Sequence, residues 1–462
     1  EDNTGTESDS VSALESFYTL VIILWCCIFT FCHFNLQKYN NLYNINNGLG
    51  TVSKVYQTHK KQTVTISVEV RYKTGSSKTL SKEITVNPVK FTDFSSTPIA
   101  TYFYTGAISA YKKYNERYLN NQTLFSETTK ETLDIVYYAF IVPKSDGSVS
   151  FQNVSYLDEV RELRNHNVRI LGCVNGVGTD TSTAFKVITA DKNLRKTFIN
   201  NLMDMVEEYN LDGLDLDWEA ISSSLKPIAS QYNLLCQELR AEMTRRQDEG
   251  GSPYLLTMAV PASSYGTATD RFDFATLNKY VDYINIMSYD LNDTTKASHL
   301  SPLYTSKKDN GYGFGAVYGV NRISSLGFDK NKLIIGCAGY GKAYKVTSAS
   351  GTYPALGTSG TLTQISGYDG SFKSGTVYGS TINQLIKSGK YKQYTELDSN
   401  GKVVGSYLYS ETDKIFITFD SKEAVMAKYE YAASIGVGMM CWAYTEDTSD
   451  TVINAIYEAK NK

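Results

Sequence analysis

From residue 98 onward the chain alternates short apolar runs with longer amphipathic stretches. Runs of strand length and strand composition lie at 99–104, 134–140, 168–174, 211–219, 254–260, 282–289, 332–338 and 436–442. Helical periodicity fills 191–209, 225–246 and 421–435 between them. Eight such strands, each followed by a helix or a long loop, predict a parallel (β/α)8 TIM barrel of the α/β class over 98–462. One segment breaks the alternation. Residues 344–414 are rich in Gly, Ser, Thr and Tyr, too long for a structureless loop, and predict a small α+β insertion with a strand near 402–409. Ahead of the barrel, Thr63–Tyr72 and Thr79–Val86 alternate strongly around Lys73-Thr-Gly-Ser-Ser and predict a β-hairpin. Residues 35–93 are therefore expected to form a small immunoglobulin-like or polycystic-kidney-disease-type β domain, with 88–98 as linker.

Residues 1–34 follow a different pattern. Positions 1–16 are acidic and Ser/Thr-rich, and 17–34 are nearly unbroken apolar sequence. That run is marginal in length for a membrane-spanning helix and lacks the basic start and small-residue cleavage site of a signal peptide. Its β-branched and aromatic content equally suits one or two buried strands. Membrane or cell-surface attachment and buried strands stand as alternatives. Basic residues follow the run at Lys38, Lys54, Lys60 and Lys61, which by charge asymmetry places the remainder on the cytoplasmic side of a membrane.

Composition narrows the partners. A net charge of −3 gives no electrostatic case for nucleic acid. The 36 Tyr and 19 Phe suit a surface that stacks on sugar rings, and they suit ordinary packing as well. Seven cysteines and four histidines show no zinc or disulfide spacing, so buried free thiols are expected, with no metal and no cofactor.

The chemistry concentrates in Asp212-Gly-Leu-Asp215-Leu-Asp217-Trp-Glu219. On a strand, Asp215, Asp217 and Glu219 share one face while Leu214, Leu216 and Trp218 pack on the other. Three carboxylates side by side repel, and at least one must titrate high. A solvated acidic strand is the bland alternative, but Asp is rare in strands and the alternating Leu and Trp argue for burial. A hard-cation site would draw its carboxylates from an irregular Gly- and Asn-bearing loop. Proton chemistry is the better reading.

With these residues in view, the chain resembles glycoside hydrolase family 18, the chitinases and endo-β-N-acetylglucosaminidases, over roughly 98–460. The signature D-x-x-D-x-D-x-E is present in full. Met287-Ser-Tyr289-Asp290 is similar to the family's sixth-strand Met-x-Tyr-Asp, and Gly438-Met-Met-Cys-Trp442 to its eighth-strand segment. Tyr102-Phe-Tyr and Tyr138-Ala-Phe140 match its first two strands, and Gly339-Tyr340-Gly341-Lys342 stands where Tyr-Gly-Arg is usual. The resemblance implies substrate-assisted hydrolysis, in which the N-acetyl oxygen attacks the anomeric carbon and forms an oxazolinium ion.

It implies Glu219 as general acid and then base. Asp217 would hold the acetamido N–H and stabilise the cation, Asp215 would share a proton with Asp217, and Tyr289 would donate to the acetyl carbonyl. Trp442 would form the floor under the sugar, and Met287, Asp290, Tyr102, Phe140 and Tyr340 would contact substrate, while Asp212 fixes the strand start. Taken alone, Trp442 could simply be barrel core, Tyr289 and Met287 fit strand packing as well as catalysis, and Tyr102 could be either.

Two positions depart from the pattern. Cys173-Val-Asn175-Gly176 replaces Ser-x-Gly-Gly, placing a weaker donor beside Asp215, and Lys342 replaces Arg. The expected function is hydrolysis of β-1,4-linked N-acetylglucosamine polymers by a secreted or cell-surface monomer. The alternatives are cleavage of an N-glycan core and a catalytically weak chitin-binding lectin.

Overall fold

The alternating residues ahead of the barrel form the predicted hairpin. In the computed structural model, which describes residues 30–36, 43–45, 59–72, 77–219, 222–263, 269–309, 314–347 and 349–462, β3 (Gln62–Tyr72) pairs with β4 (Ser77–Val86) in antiparallel register from Gln62↔Val86 to Arg71↔Ser77. Two further strands, β1 (Thr30–Leu36) and β2 (Tyr43–Ile45), complete a sheet of order β2-β1-β3-β4. The end of the long apolar run is thus a strand, with Cys32 opposite Val70, and the domain boundary expected between 34 and 35 falls inside β1. Residues 17–29 of that run lie outside the described residues. No helix among the described residues is long and apolar enough to cross a membrane. An immunoglobulin-like sandwich needs two sheets, and the described residues of this unit form one. Arg246–Pro253 belongs to the same unit: the Lys61 amide donates to Asp248 Oδ2 at 2.6 Å and the Phe91 amide to Ser252 Oγ at 2.7 Å.

The second unit, Asp93–Arg245 with Tyr254–Lys462, is the barrel. All eight apolar runs become strands: β5 (Ile99–Tyr104), β6 (Ile135–Pro143), β8 (Arg169–Asn175), β9 (Gly213–Asp217), β10 (Leu255–Pro261), β11 (Tyr283–Met287), β12 (Leu333–Ala338) and β19 (Gly438–Trp442). A short β7 (Val149–Phe151) hangs antiparallel on β6. The parallel order β5-β19-β12-β11-β10-β9-β8-β6 closes through β5–β6. Outward side chains pack under the helices, and inward ones, among them Ala100, Tyr102, Tyr137 and Cys173, fill the barrel.

β9 shows how the sequence fixes its own facing. Leu214, Leu216 and Trp218 join the outer core, with Trp218 stacked on Phe185 of the helix Thr179–Ala190 at 5.1 Å. Burial of each leucine contributes about 1.5–3 kcal/mol. A one-residue slip would drive Asp215 and Asp217 into that apolar layer, so the register is strongly set. Asp212 anchors the strand start as expected. It is fully buried, bonded to the Arg164 guanidinium, and accepts the Ile170 amide at 2.6 Å. Gly213 has φ +152°, and a Cβ there would sit 2.0 Å from the Leu255 carbonyl oxygen, so this close approach of strands needs glycine.

The insertion is larger than expected. Its sheet begins at β13 (Tyr340–Val346) and continues through β14 (Gly360–Leu362), β15 (Thr376–Tyr378), β16 (Lys392–Leu397), β17 (Val403–Ser410) and β18 (Ile415–Phe419). The path is β14-β13-β18-β17-β16, with β15 on β13 and the helix Gly379–Lys387 beside it. The apolar run of β12 and the insertion's first strand are separated by Gly339 alone, so composition could not mark the border. A buried ion pair ties the insertion's exit to the barrel. Lys428 Nζ lies 2.7 Å from Asp420 Oδ1 and donates to Ser301 Oγ at 2.6 Å, while Asp420 Oδ2 accepts the Ala338 amide at 2.8 Å.

Candidate active site

The acids lie on the inward face of β9, and the neighbouring strands determine what each one meets. Cys173 on β8 and Thr257 on β10 are register partners of Asp215. Asp215 is fully buried and accepts four hydrogen bonds. Thr257 Oγ1 donates to Oδ1 at 2.6 Å, Asn285 Nδ2 to Oδ1 at 3.2 Å, Tyr102 OH to Oδ2 at 2.9 Å and Cys173 Sγ to Oδ2 at 3.3 Å. Burial pushes its pKa up and these donors pull it down, leaving it above the ordinary carboxylate value.

Asp217, one strand repeat further on, is 2% exposed and lacks such support. Its Oδ1 has no hydrogen-bond partner among the described residues. Burial, then the charges of Glu219 and Asp215, raise its pKa well above the usual range. Glu219 lies just past the strand and opens into a cleft of about 760 Å³. Burial first, and the Asp290 carboxylate second, push Glu219 up to about 7.

Aromatic and apolar side chains line that cleft. Met287, Tyr289, Asp290, Tyr340, Phe140 and Trp442 all border it. Trp442 is half-buried, borders the cleft and packs against the inner barrel cluster below it. Its ring stacks near Phe140 and Tyr104 at 5.8 and 5.9 Å. Burial, reinforced by Asp217 and Glu219, holds the Tyr289 hydroxyl well above the usual range and therefore protonated, as a donor. Tyr102 is a correction. Expected at the sugar, it is 1% exposed and absent from the cleft lining, with its hydroxyl spent on Asp215. Its inward position on β5, one strand repeat below the cleft-lining Tyr104, puts it beneath the cleft floor. The thiol of Cys173 takes the expected place beside Asp215, at the longer distance sulfur requires.

β9 lies opposite β19 in the closed order, four strands away in either direction, so Glu219 faces Trp442 across the barrel mouth. The sequence model of glycosyl hydrolases family 18 matches residues 100–447. The chain belongs to that family. Chitinase A1 of Niallia circulans is 29% identical over 316 residues, which is 65% of this chain and 44% of that protein. The match therefore spans less than half of that relative's length. In fold, the barrel unit is similar to the Group IV chitinase of Ostrinia furnacalis, with a TM-score of 0.62 and 24% identity over 79% of this chain and all of that one. A Class V chitinase from Nicotiana tobaccum, solved in complex with NAG4, gives a TM-score of 0.62 at 20% identity, covering 79% of this chain and 98% of that one.

Several residues around this family 18 site escaped the sequence reading. Thr257 and Asn285 hold Asp215, and Tyr137 OH donates to Asn285 Oδ1 at 3.1 Å. A signal existed: each is an inward polar position in an otherwise apolar strand, at the depth of the acids. Gln152, Phe314 and Tyr104 also border the cleft, but they come from loops or strand ends where no periodicity points to a site. Glu446 is a further acid, raised to about 7 by burial and by Asp290, with Lys342 opposing.

Proposed function

We propose that this chain hydrolyses β-1,4-linked N-acetylglucosamine polymers with retention, through an oxazolinium formed by the substrate's own acetamido group. The observation that carries the reading is the gradient along β9. Asp215 is fixed by four donors, Asp217 keeps a buried unpartnered oxygen, and Glu219 alone reaches the cleft with a pKa near 7. A sugar seated on Trp442 presents its anomeric side toward Glu219 across the barrel. Glu219 protonates the leaving oxygen, the C1–O bond breaks, and the acetyl oxygen closes on C1. Water then attacks C1 while the Glu219 carboxylate takes its proton.

Asp217 supplies an acceptor and negative charge for the acetamido N–H⁺ of that ring. Its proton passes toward Asp215, which burial holds above the ordinary carboxylate value even though its four donors favour the ionised form. Tyr289 donates to the acetyl oxygen and orients it for in-line attack. Chitooligosaccharide in the Nicotiana tobaccum homologue favours a linear polymer as substrate. The deciding experiment compares hydrolysis of chitin oligosaccharides with release of glycans from a high-mannose glycoprotein, each with wild type and Glu219→Gln. Cleavage of the oligosaccharides alone supports this reading. Glycan release alone assigns the chain to the deglycosylating branch, and binding without either reaction assigns it a lectin role.

The pH profile gives a separate test. Glu219 must carry its proton to act as acid, so kcat/KM falls as pH rises through about 7. Asp290 repels the ionised form of Glu219 and holds that pKa up. Asp290→Asn removes the repulsion, so the basic limb moves to lower pH, whatever the change in amplitude. A limb that stays in place or moves to higher pH shows that Asp290 does not set it.

A further inference from the structure

Aromatic rings continue past Trp442, beyond the residues that border the cleft. Tyr340, on its wall, is the antiparallel register partner of Tyr378, and paired residues project from the same face of a sheet. The next same-face pair, Lys342 and Thr376, confirms the facing with an Nζ–Oγ1 hydrogen bond of 3.0 Å. Tyr378 therefore stands on the cleft side of the insertion, outward from Tyr340. Two more rings extend it: Phe372 meets Tyr378 edge-on at 5.1 Å, and Tyr114 of the helix Ile108–Tyr114 approaches it at 6.4 Å. Tyr104 stacks on Trp442, and burial first, then Glu446, Tyr114 and Tyr104, push up the pKa of the Tyr378 hydroxyl. Tyr104, Tyr114 and Tyr378 are half-buried, and Phe372 is 37% exposed. An exposed phenylalanine at a hairpin tip serves no core. The Lys113–Asp369 ion pair at 3.0 Å spans the helix and the insertion beside these rings, though at such exposure it contributes little energy.

The direction of this track follows from the site. The bond to be cut lies on the Glu219 side of the sugar on Trp442, and β9 is opposite β19. Rings running from Trp442 through Tyr104 to the insertion therefore lead away from the scissile bond, under the non-reducing part of the substrate. We infer that Tyr378, Phe372 and Tyr114 form a ledge that binds the sugars of an N-acetylglucosamine chain beyond the disaccharide on the non-reducing side, making the enzyme selective for long chains. This rests on the hydrolase reading above. Flat ring faces meet pyranose C–H groups there, and Lys342 and Thr376 offer polar partners to their substituents.

The test is a ratio, so that a misfolded fraction cancels. kcat/KM is measured for chitin hexasaccharide and for an aryl chitobioside, which is too short to reach the ledge, with wild type, Phe372→Ala and Tyr378→Ala. The expected result is a roughly ten-fold fall in the hexasaccharide-to-chitobioside ratio for each variant, the scale of one lost ring contact. A ratio within about two-fold of wild type for both variants, against that ten-fold scale, overturns the ledge. If wild type cleaves neither substrate, the hydrolase reading fails first. The ledge is then tested by calorimetry on Glu219→Gln, alone and combined with Phe372→Ala. A roughly ten-fold loss of affinity confined to the hexasaccharide supports it, and equal affinities overturn it.

Discussion

Replacing Glu219 by Gln is expected to lower kcat on N-acetylglucosamine oligosaccharides by roughly 10²–10⁴-fold while the oligosaccharides still bind, since the change removes one proton donor and leaves shape intact. The same variant should be more stable than wild type at neutral pH, and the sign can be worked out. An unfolded glutamate ionises near its ordinary value, whereas folded Glu219 holds its proton up to about 7. Below the ordinary value both states are protonated and the group contributes nothing. Between the two pKa values the unfolded state releases a proton the folded state keeps, so stability falls as pH rises, and above about 7 the penalty is complete. The gap corresponds to ~3 kcal/mol at most. Gln carries no such penalty. Paired melting curves at pH 4 and pH 8 should therefore coincide at the lower pH and separate at the higher, with the variant melting later. Retained turnover removes Glu219 from the acid's role. Coincident melting at both pH values shows that its burial is not a stored cost.

The barrel was legible because its strands are buried on both sides and read as apolar runs between turn residues. The site was legible wherever its chemistry lies in one strand, as with Asp215, Asp217 and Glu219, whose alternation with Leu214, Leu216 and Trp218 sets the facing. It was less legible where function is assembled across strands. Tyr102 sits in a motif that points to sugar, yet barrel depth puts its hydroxyl on Asp215. Thr257 and Asn285 lie 42 and 70 residues from the acid they hold. The insertion's border was hidden because β12 and β13 differ in partner strands rather than in composition. The facing of Tyr378 depends on a register with Tyr340 that closes a long loop, and no local pattern specifies it.

Asp217→Asn separates charge from shape at the second decisive position. Asn keeps the size of Asp217 and an oxygen able to accept the acetamido N–H, so substrate should bind with KM changed little. It cannot carry the negative charge that an oxazolinium requires nearby. Losing one preorganised electrostatic partner costs roughly 10²–10³ in kcat. The buried, unpartnered Oδ1 and the repulsion from Asp215 and Glu219 make Asp217 costly to the folded state. Its pKa is raised, so that cost is present above the ordinary carboxylate value and vanishes below it. Asn should therefore raise the melting temperature at pH 7 and leave it unchanged at pH 3, while kcat falls. Gain of stability with loss of turnover is what a strained functional carboxylate predicts. A variant that loses stability as well would mark Asp217 as a structural member of the barrel interior. One that keeps wild-type kcat would show that the ring closing on C1 needs no counter-charge from this position, and the substrate-assisted route would fall with it.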